Sequence, residues 1–190
     1  MTSTILILTL LAAEPGPAAA ADSMKQEPDW PAGAARLTSA FLSGFQSGWL
    51  VGTKLWVSPL RESYQDGGDW IRLQGALNHT VGPAAPVMMG GAAIGNLLPL
   101  LFDHDLRKIS TWLTILGGVF NGAIIVSTMI GNVPVNNITS IADPANPPAN
   151  WQQLRSQWEA FHTVRSVFSV CAFTLNLGAI VFAEPPARNR

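Results

Sequence analysis

The chain has 190 residues, which suits a single domain. Apolar residues make up 48% of it and charged residues only 12%, against about 25% charged residues in ordinary soluble domains, so we interpret it as a small integral membrane protein. A net charge of −1 provides no basic surface for nucleic acid, which we exclude as a partner. The single cysteine, Cys171, excludes an internal disulfide and, by itself, a structural zinc site.

The two ends of the chain are set apart from the rest. An apolar run near the N-terminus, TSTILILTLLAA, is about as long as the core of a signal peptide, but no basic residue precedes it. We therefore interpret residues 1–32 as an uncleaved arm, either disordered or lying at a membrane interface. Residues 185–190 form a short C-terminal tail.

Four segments between residues 33 and 184 are long and apolar enough to cross a bilayer, which needs about 20 residues. They cover residues 34–57, 81–102, 109–130 and 158–183. Glycines recur within the first three segments, and such small residues let membrane helices approach closely. The sequence therefore predicts an all-α fold, an integral membrane four-helix bundle.

The segments between the spans have distinct characters. In the first, residues 58–80, the side chains of Trp70, Ile71 and Leu77 favour a short helix lying in the membrane interface. The asparagines and the proline of the motif NVPVNN, residues 132–137, predict the end of the third helix. Residues 140–150 contain three prolines and form a link to the fourth helix.

Basic residues in the loops predict an orientation. With four spans, the termini share one side with the link at residues 103–108, and that side carries six Lys and Arg residues against three on the other. The positive-inside rule then places both termini in the cytoplasm. Two N-x-[ST] sequons, at Asn78 and Asn137, lie in the opposite loops. We expect the membrane to be the endoplasmic reticulum or another endomembrane.

The fourth helix begins with the densest group of polar side chains in the chain. At about 100° per residue, seven of them fall within an arc of roughly 120°: Arg155, Trp158, Glu159, His162, Arg165, Ser166 and Ser169. Charges at membrane depth are costly and normally face the bundle interior and a partner. His162 and Arg165 are therefore candidates for function, whereas Arg155 and Glu159 also fit a plain i,i+4 pair at the interface.

The other polar residues of the spans have simpler explanations. We expect the amides of Gln46, Asn96, Asn121 and Asn176 to form hydrogen bonds between helices. Lys54 lies near the end of its span and can extend its ammonium group to the interface. The histidines outside the fourth helix lie in loops and complete no metal site with His162, so we predict no metal ligands.

The order of these residues resembles that of the anthrone oxygenase family of small four-span membrane proteins. The resemblance is carried by Asn132-Val-Pro134-Val-Asn136, a short Pro-rich link, and then Trp151, Arg155, Trp158, His162 and Arg165. It implies a membrane-embedded oxygenase that converts an anthrone-type aromatic polyketide to the anthraquinone with dioxygen. The anion of such a substrate reacts with dioxygen directly, so we expect no cofactor.

The resemblance also implies roles for individual residues. His162 would be the general base, and Arg165 would stabilise the negative charge that develops. Asn132 and Asn136 would bind substrate oxygens. A substrate-binding group would complete the site: Trp151, Arg155, Trp158 and Glu159, with the two tryptophans stacking on the substrate.

Two alternatives stay open. An enzyme of the same fold would perform other proton-transfer or cyclisation chemistry on a lipophilic substrate. A non-catalytic membrane protein would use the same polar side chains only to hold its helices together. In the leading interpretation the partners are a small lipophilic aromatic substrate and membrane lipid, and the sequence is compatible with an oligomer.

Overall fold

The computed structural model describes residues 30–183, and every regular element in that range is a helix. The predicted arm, residues 1–32, lies almost wholly outside this range, and so does the tail, residues 185–190. The helices are α1 (Trp30–Gly52), α2 (Ser58–Ser63), α3 (Gly67–Thr80), α4 (Ala84–Phe102), α5 (Ile109–Ser127), α6 (Val133–Ile141) and α7 (Trp151–Val181).

The four long helices form a bundle, as predicted. α1 packs against α4 and α7, and α5 packs against the same two helices from the other side. A Cβ atom added at Gly44 would lie 2.8 Å from the ring of Phe173, and one at Gly117 would lie 2.8 Å from Oδ1 of Asn176. These two glycines therefore permit close helix contacts. A Cβ at Gly48, by contrast, would meet nothing within 4 Å.

Three helical segments are long and apolar enough to cross a membrane: Ala84–Phe102, Ile109–Ile141 and Trp151–Val181. α1, which carries most of the predicted span 34–57, is not among them, because its buried face is polar and includes Arg36, Ser43 and Gln46. Its outward face carries exposed apolar side chains that suit lipid contact: Leu37, Phe41 and Phe45. A membrane-spanning role for α1 stays a prediction.

Two π-helical turns, Thr53–Val57 and Thr128–Asn132, continue the helices where the sequence predicted ends. The prediction that the NVPVNN motif terminates the third helix is wrong, because α6 follows the second turn directly. Pro59 and Pro134 each lie in the first turn of the helix after a π-helical turn, a position that tolerates a missing N–H. π-Helical turns inside helices are frequent at functional sites.

Helices α3 and α6 pack against each other beside the N-terminal part of α7. α3 is the short helix predicted within residues 58–80, and its place in the membrane interface stays a prediction. Trp70 and Ile71 are buried in an apolar cluster with Val135, Leu154 and Trp158. The cluster holds α3 against the bundle, and α3 thereby forms one wall of the cavity described below.

The amides inside the bundle bond between helices, as expected. Asn176 Nδ2 donates to Asn96 Oδ1 at 2.7 Å and to Ser43 Oγ at 2.8 Å. Asn121 Nδ2 donates to the same oxygen of Asn96 at 3.3 Å, and Gln46 Nε2 donates to Asn121 Oδ1 at 3.4 Å. Each of the four long helices thus contributes to one buried polar layer.

A second group of polar contacts lies at the end of the bundle where α1 begins and where α4 is linked to α5. The carboxylate of Asp103, just after α4, accepts hydrogen bonds from Arg36 on α1 and from Lys108 before α5. The Asp103 and Arg36 side chains are only 12% and 10% exposed. This contact joins the beginning of α1 to the link between α4 and α5.

Candidate functional site

A cavity of about 370 Å³ opens between the C-terminal half of α1, helix α3, the start of α4 and the middle of α7. Pockets of roughly 300–1,000 Å³ with apolar walls and a few polar groups are typical of small-molecule sites. The walls include Trp49, Trp56, Val57, Leu77, Val81, Met88 and Met89. The polar lining consists mainly of Gln46, Arg61, Gln74, Asn78, Asn136, His162 and Arg165.

The structure brings four of the predicted site residues to this cavity: Asn136, Trp158, His162 and Arg165. His162 is 1% exposed and Arg165 is 7% exposed. The ring centroids of Trp158 and His162 lie 4.8 Å apart, and Cζ of Arg165 lies 5.5 Å from the centre of the Trp158 ring. The prediction that Trp158, His162 and Arg165 share one face of the fourth helix is confirmed, because all three are buried.

The contact between Arg165 and His162 determines which imidazole nitrogen carries the hydrogen. Arg165 Nη2 lies 3.0 Å from His162 Nδ1. A guanidinium group has no acceptor, so Nδ1 must be the acceptor and the hydrogen of the neutral imidazole is on Nε2. Arg165 Nη1 also donates to Thr128 Oγ1 at 3.3 Å. His162 Nε2 has no hydrogen-bond partner within residues 30–183.

Arg61 is a cavity residue that the sequence did not reveal. Its Cζ lies 3.9 Å from the centre of the Trp158 ring, on which it stacks as a cation. It is 3% exposed, and Nη1 donates to Glu159 Oε1 at 3.3 Å. Before folding it is one arginine in an interhelical loop, and no periodic pattern distinguishes it from an exposed loop charge.

Glu159 lies behind Arg61 and outside the cavity lining. Its carboxylate bonds to Arg61 and, at 3.0 Å, to Lys54 Nζ. Lys54 forms this ion pair while its side chain stays 31% exposed, and its extension to the membrane interface stays a prediction. With Arg165 nearby on α7, three cationic side chains lie in the region of this buried carboxylate, while the second carboxylate at Lys54, that of Glu62, is exposed. This region therefore has an excess of positive charge, which favours an anion in the cavity.

Asn136 links α6, α3 and α7 at the polar end of the cavity. Its Oδ1 accepts hydrogen bonds from Trp158 Nε1 at 2.8 Å and from Gln74 Nε2 at 3.2 Å. Asn132, one helical turn earlier, is 1% exposed, and its Nδ2 donates to the backbone oxygen of Trp158 at 3.0 Å. Asn132 does not line the cavity and instead fixes α7 against the π-helical turn.

Trp151 and Arg155 also lie away from the cavity lining. Arg155 Nη1 donates to the backbone oxygens of Arg61 and Tyr64 at 3.2 Å and 2.7 Å. Trp151 packs against Trp70, with their ring centroids 6.2 Å apart. Both side chains thereby hold the segment that carries Arg61 into the cavity.

One sequon is incorporated into the same hydrogen-bond network. Asn78 Nδ2 donates to the backbone oxygen of Asn136 at 3.2 Å and to Thr139 Oγ1 at 3.0 Å. An amide nitrogen committed to these bonds is not free to carry a glycan. Asn137 of the second sequon is exposed.

Within residues 30–183, no three His, Cys, Asp or Glu side chains come together as a metal site. A model of the family described as anthrone oxygenase matches residues 75–175, which are 101 of the 190 residues. No curated protein and no solved structure matches the chain. The matched range begins within α3 and contains all eight site residues that the sequence predicted, whereas Arg61, Gln74 and the cavity residues of α1 lie before it. The chain therefore belongs to the anthrone oxygenase family.

Proposed function

We propose that this protein is a membrane-embedded oxygenase that converts an anthrone-type aromatic polyketide to the anthraquinone with dioxygen and without a cofactor. The observation that carries the proposal is the convergence of His162, Arg165 and Arg61 on the Trp158 ring, at the polar end of a cavity with apolar walls. Membership in the anthrone oxygenase family supports the class of reaction.

The proposed reaction consumes one dioxygen for each anthrone and releases one water. The methylene carbon of the anthrone loses a proton to give an enolate. That carbon gives its electrons to dioxygen and forms a C–O bond, and the peroxide then takes up a proton. Loss of the second methylene proton breaks the O–O bond, forms the new carbonyl group and releases water. The substrate thus supplies all four electrons that reduce dioxygen.

Substrate binding would make His162 available as the base. In the resting site Arg165 occupies His162 Nδ1, while Nε2 carries a hydrogen. When the carbonyl oxygen of the substrate replaces Nδ1 as the acceptor for Arg165, Nδ1 is free to take the methylene proton. The same arginine then stabilises the enolate oxygen. Deprotonation and charge stabilisation are coupled through one hydrogen bond.

The remaining residues have different roles in the proposal. Arg61, rather than the predicted Arg155, is the second cation for the enolate and peroxide, because it lines the cavity. Trp158 offers a ring surface for a planar substrate, and Asn136 holds that ring through its indole N–H. We assign positioning roles to the four residues behind the wall: Asn132, Trp151, Arg155 and Glu159.

The proposal places the reaction in an endomembrane such as the endoplasmic reticulum, with both termini in the cytoplasm. The cavity lies near one end of the bundle, the end where residues 58–80 and 132–150 connect the long helices. In the proposed orientation this end faces the lumen. A flat, lipophilic substrate that dissolves in the bilayer would reach the apolar wall formed by Trp49, Trp56 and Met88.

The test uses purified protein in detergent or vesicles, assayed for metals and flavin and then supplied with an anthrone. We expect faster quinone formation than without protein, with less than stoichiometric metal or flavin. The His162→Ala variant should lose the acceleration while it stays folded. His104→Ala, which removes an exposed histidine from a loop, should retain it. A stoichiometric metal or flavin whose removal abolishes activity would overturn the cofactor-free proposal, and no acceleration would overturn the reaction.

A further inference from the structure

Gln74 is a buried amide that lines the cavity from α3. It is 1% exposed, and the roles assigned above to the site residues do not use it. A buried glutamine has one acceptor oxygen and two donor hydrogens to satisfy. The neighbours of Gln74 bind some of these groups and leave another without a partner.

The neighbours of Gln74 determine the orientation of its amide group. The indole N–H of Trp158 can only donate, so the atom of Asn136 that it meets at 2.8 Å is an oxygen. The atom of Asn78 that bonds to the backbone oxygen of Asn136 must be a nitrogen, so the other atom of its amide is an oxygen. Gln74 Nε2 donates to both side-chain oxygens, at 3.2 Å and 3.1 Å.

The opposite orientation would place an amide oxygen of Gln74 against two other oxygens. Gln74 Oε1 is therefore the atom of this amide that faces away from Asn78 and Asn136, and it is buried with no hydrogen-bond partner within residues 30–183. Leaving a buried acceptor without a partner is costly. A group that donates a hydrogen bond would satisfy it.

We propose that Gln74 Oε1 accepts a hydrogen bond from a phenolic hydroxyl group of the substrate, an inference that rests on the proposed function. Gln74 then determines specificity for a free hydroxyl group of the substrate over its methyl ether. A site built to hydrogen-bond a hydroxyl rejects analogues that lack the donor, because its own polar group stays unpaired. The nitrogens of Arg61 and Arg165 donate, so Gln74 supplies the complementary acceptor.

The test compares hydroxylated ligands with their methyl ethers in two assays. One measures kcat/KM for a hydroxyanthrone and its O-methyl ether. The other measures the affinity of the corresponding quinones from the rise in unfolding temperature, which requires no turnover. For the wild-type protein we expect a preference of about tenfold or more for the free hydroxyl, the effect of about one hydrogen bond. Equal affinity for the two quinones would overturn the proposal without any variant.

Substitutions locate the preference. Gln74→Met keeps the length of the side chain and removes the acceptor, and Gln74→Asn keeps the amide but withdraws the oxygen by one carbon. Both should reduce the preference to about one. Gln153→Met, at an exposed position on α7, should leave it unchanged. A preference that survives in a folded Gln74 variant would refute the assignment. If no anthrone is oxidised but the quinone preference depends on Gln74, the proposed reaction fails and the binding role stands.

Discussion

Arg165 donates a hydrogen bond from Nη2 to His162 Nδ1 over 3.0 Å, one helical turn apart on α7. Because the arginine can only donate, the resting imidazole has its hydrogen on Nε2 and its basic nitrogen occupied. A base that is blocked until substrate binds differs from one that is always available. The two residues should therefore depend on each other in catalysis.

The first prediction separates a base at His162 from a mere hydrogen-bond donor. His162→Gln keeps an amide donor near the position of Nε2 but cannot take up a proton. If His162 is the base, kcat should fall by about 10²–10⁴-fold in His162→Gln, as in His162→Ala, since general-base catalysis contributes that much. Single-turnover rates at saturating anthrone provide the measurement. Activity within tenfold of wild type in the glutamine variant would show that the donor alone suffices.

The second prediction concerns Arg61, which only the structure identified. Arg61→Lys keeps the charge but loses the planar group over Trp158. We expect kcat to fall about 10²-fold or more, as on removal of one donor to a developing oxyanion. Arg72→Lys, on an arginine whose side chain is 62% exposed, is the matched control. Equal kcat values for the two variants would remove Arg61 from the site.

A third prediction tests the close packing of the bundle. Gly117→Ala places a Cβ atom 2.8 Å from Oδ1 of Asn176, in the buried polar layer. Overpacking of this kind costs about 1–3 kcal/mol of unfolding free energy. Gly122→Ala, one turn further along α5, meets nothing within 4 Å, and replacing glycine in an open helical position is neutral or stabilising. In detergent, Gly117→Ala should therefore be easier to denature than Gly122→Ala. A Gly122→Ala variant that is less stable than Gly117→Ala would contradict the close contact at Gly117.

The fourth prediction uses the contact at the other end of the bundle. Burial raises the pKa of the Asp103 carboxyl, but the hydrogen bond from Lys108 and the charges of Lys108 and Arg36 outweigh this, so its pKa is lowered from 3.8. A lowered pKa in the folded state adds stability above the unfolded pKa, and that stability is lost as the pH falls through the folded value.

The wild-type protein should therefore be more stable than Asp103→Asn at neutral pH, by a margin that shrinks as the pH falls below about 4. Unfolding temperatures recorded from pH 7 downward give the comparison. Asp69→Asn is the control, because that carboxylate is half exposed in its pair with Arg72. A stability difference that grows as the pH falls would contradict a lowered pKa of Asp103 in the folded state.

Helical periodicity explains why part of the site was predictable. His162 and Arg165 are three residues apart on one apolar helix, so they share its buried face whatever surrounds them. The side chains of Trp151 and Arg155 point from the helix axis in nearly the same direction as that of His162. At 1.5 Å per residue, however, Trp151 lies roughly 16 Å from His162 along the axis of α7. Periodicity gives direction and not depth, and α3 covers that level of α7.

The other half of the site depends on how loops fold back. Arg61 and Gln74 lie between predicted spans, where no period relates them to α7, and a long-range apolar contact through Trp70 brings their segment into place. Continuation of the third helix was missed for a different reason. Pro134 ends an ordinary α-helix, but after a π-helical turn it lies in the first turn of a new one.

The most direct test of the central claim follows oxygen itself. Purified protein is mixed with an anthrone under ¹⁸O₂, and oxygen uptake and quinone formation are measured together against a protein-free reaction. We predict one dioxygen consumed and one ¹⁸O atom incorporated per quinone, at an initial rate that falls to the protein-free value in His162→Ala. Equal rates for wild-type protein, His162→Ala and the protein-free reaction would contradict an oxygenase built on His162.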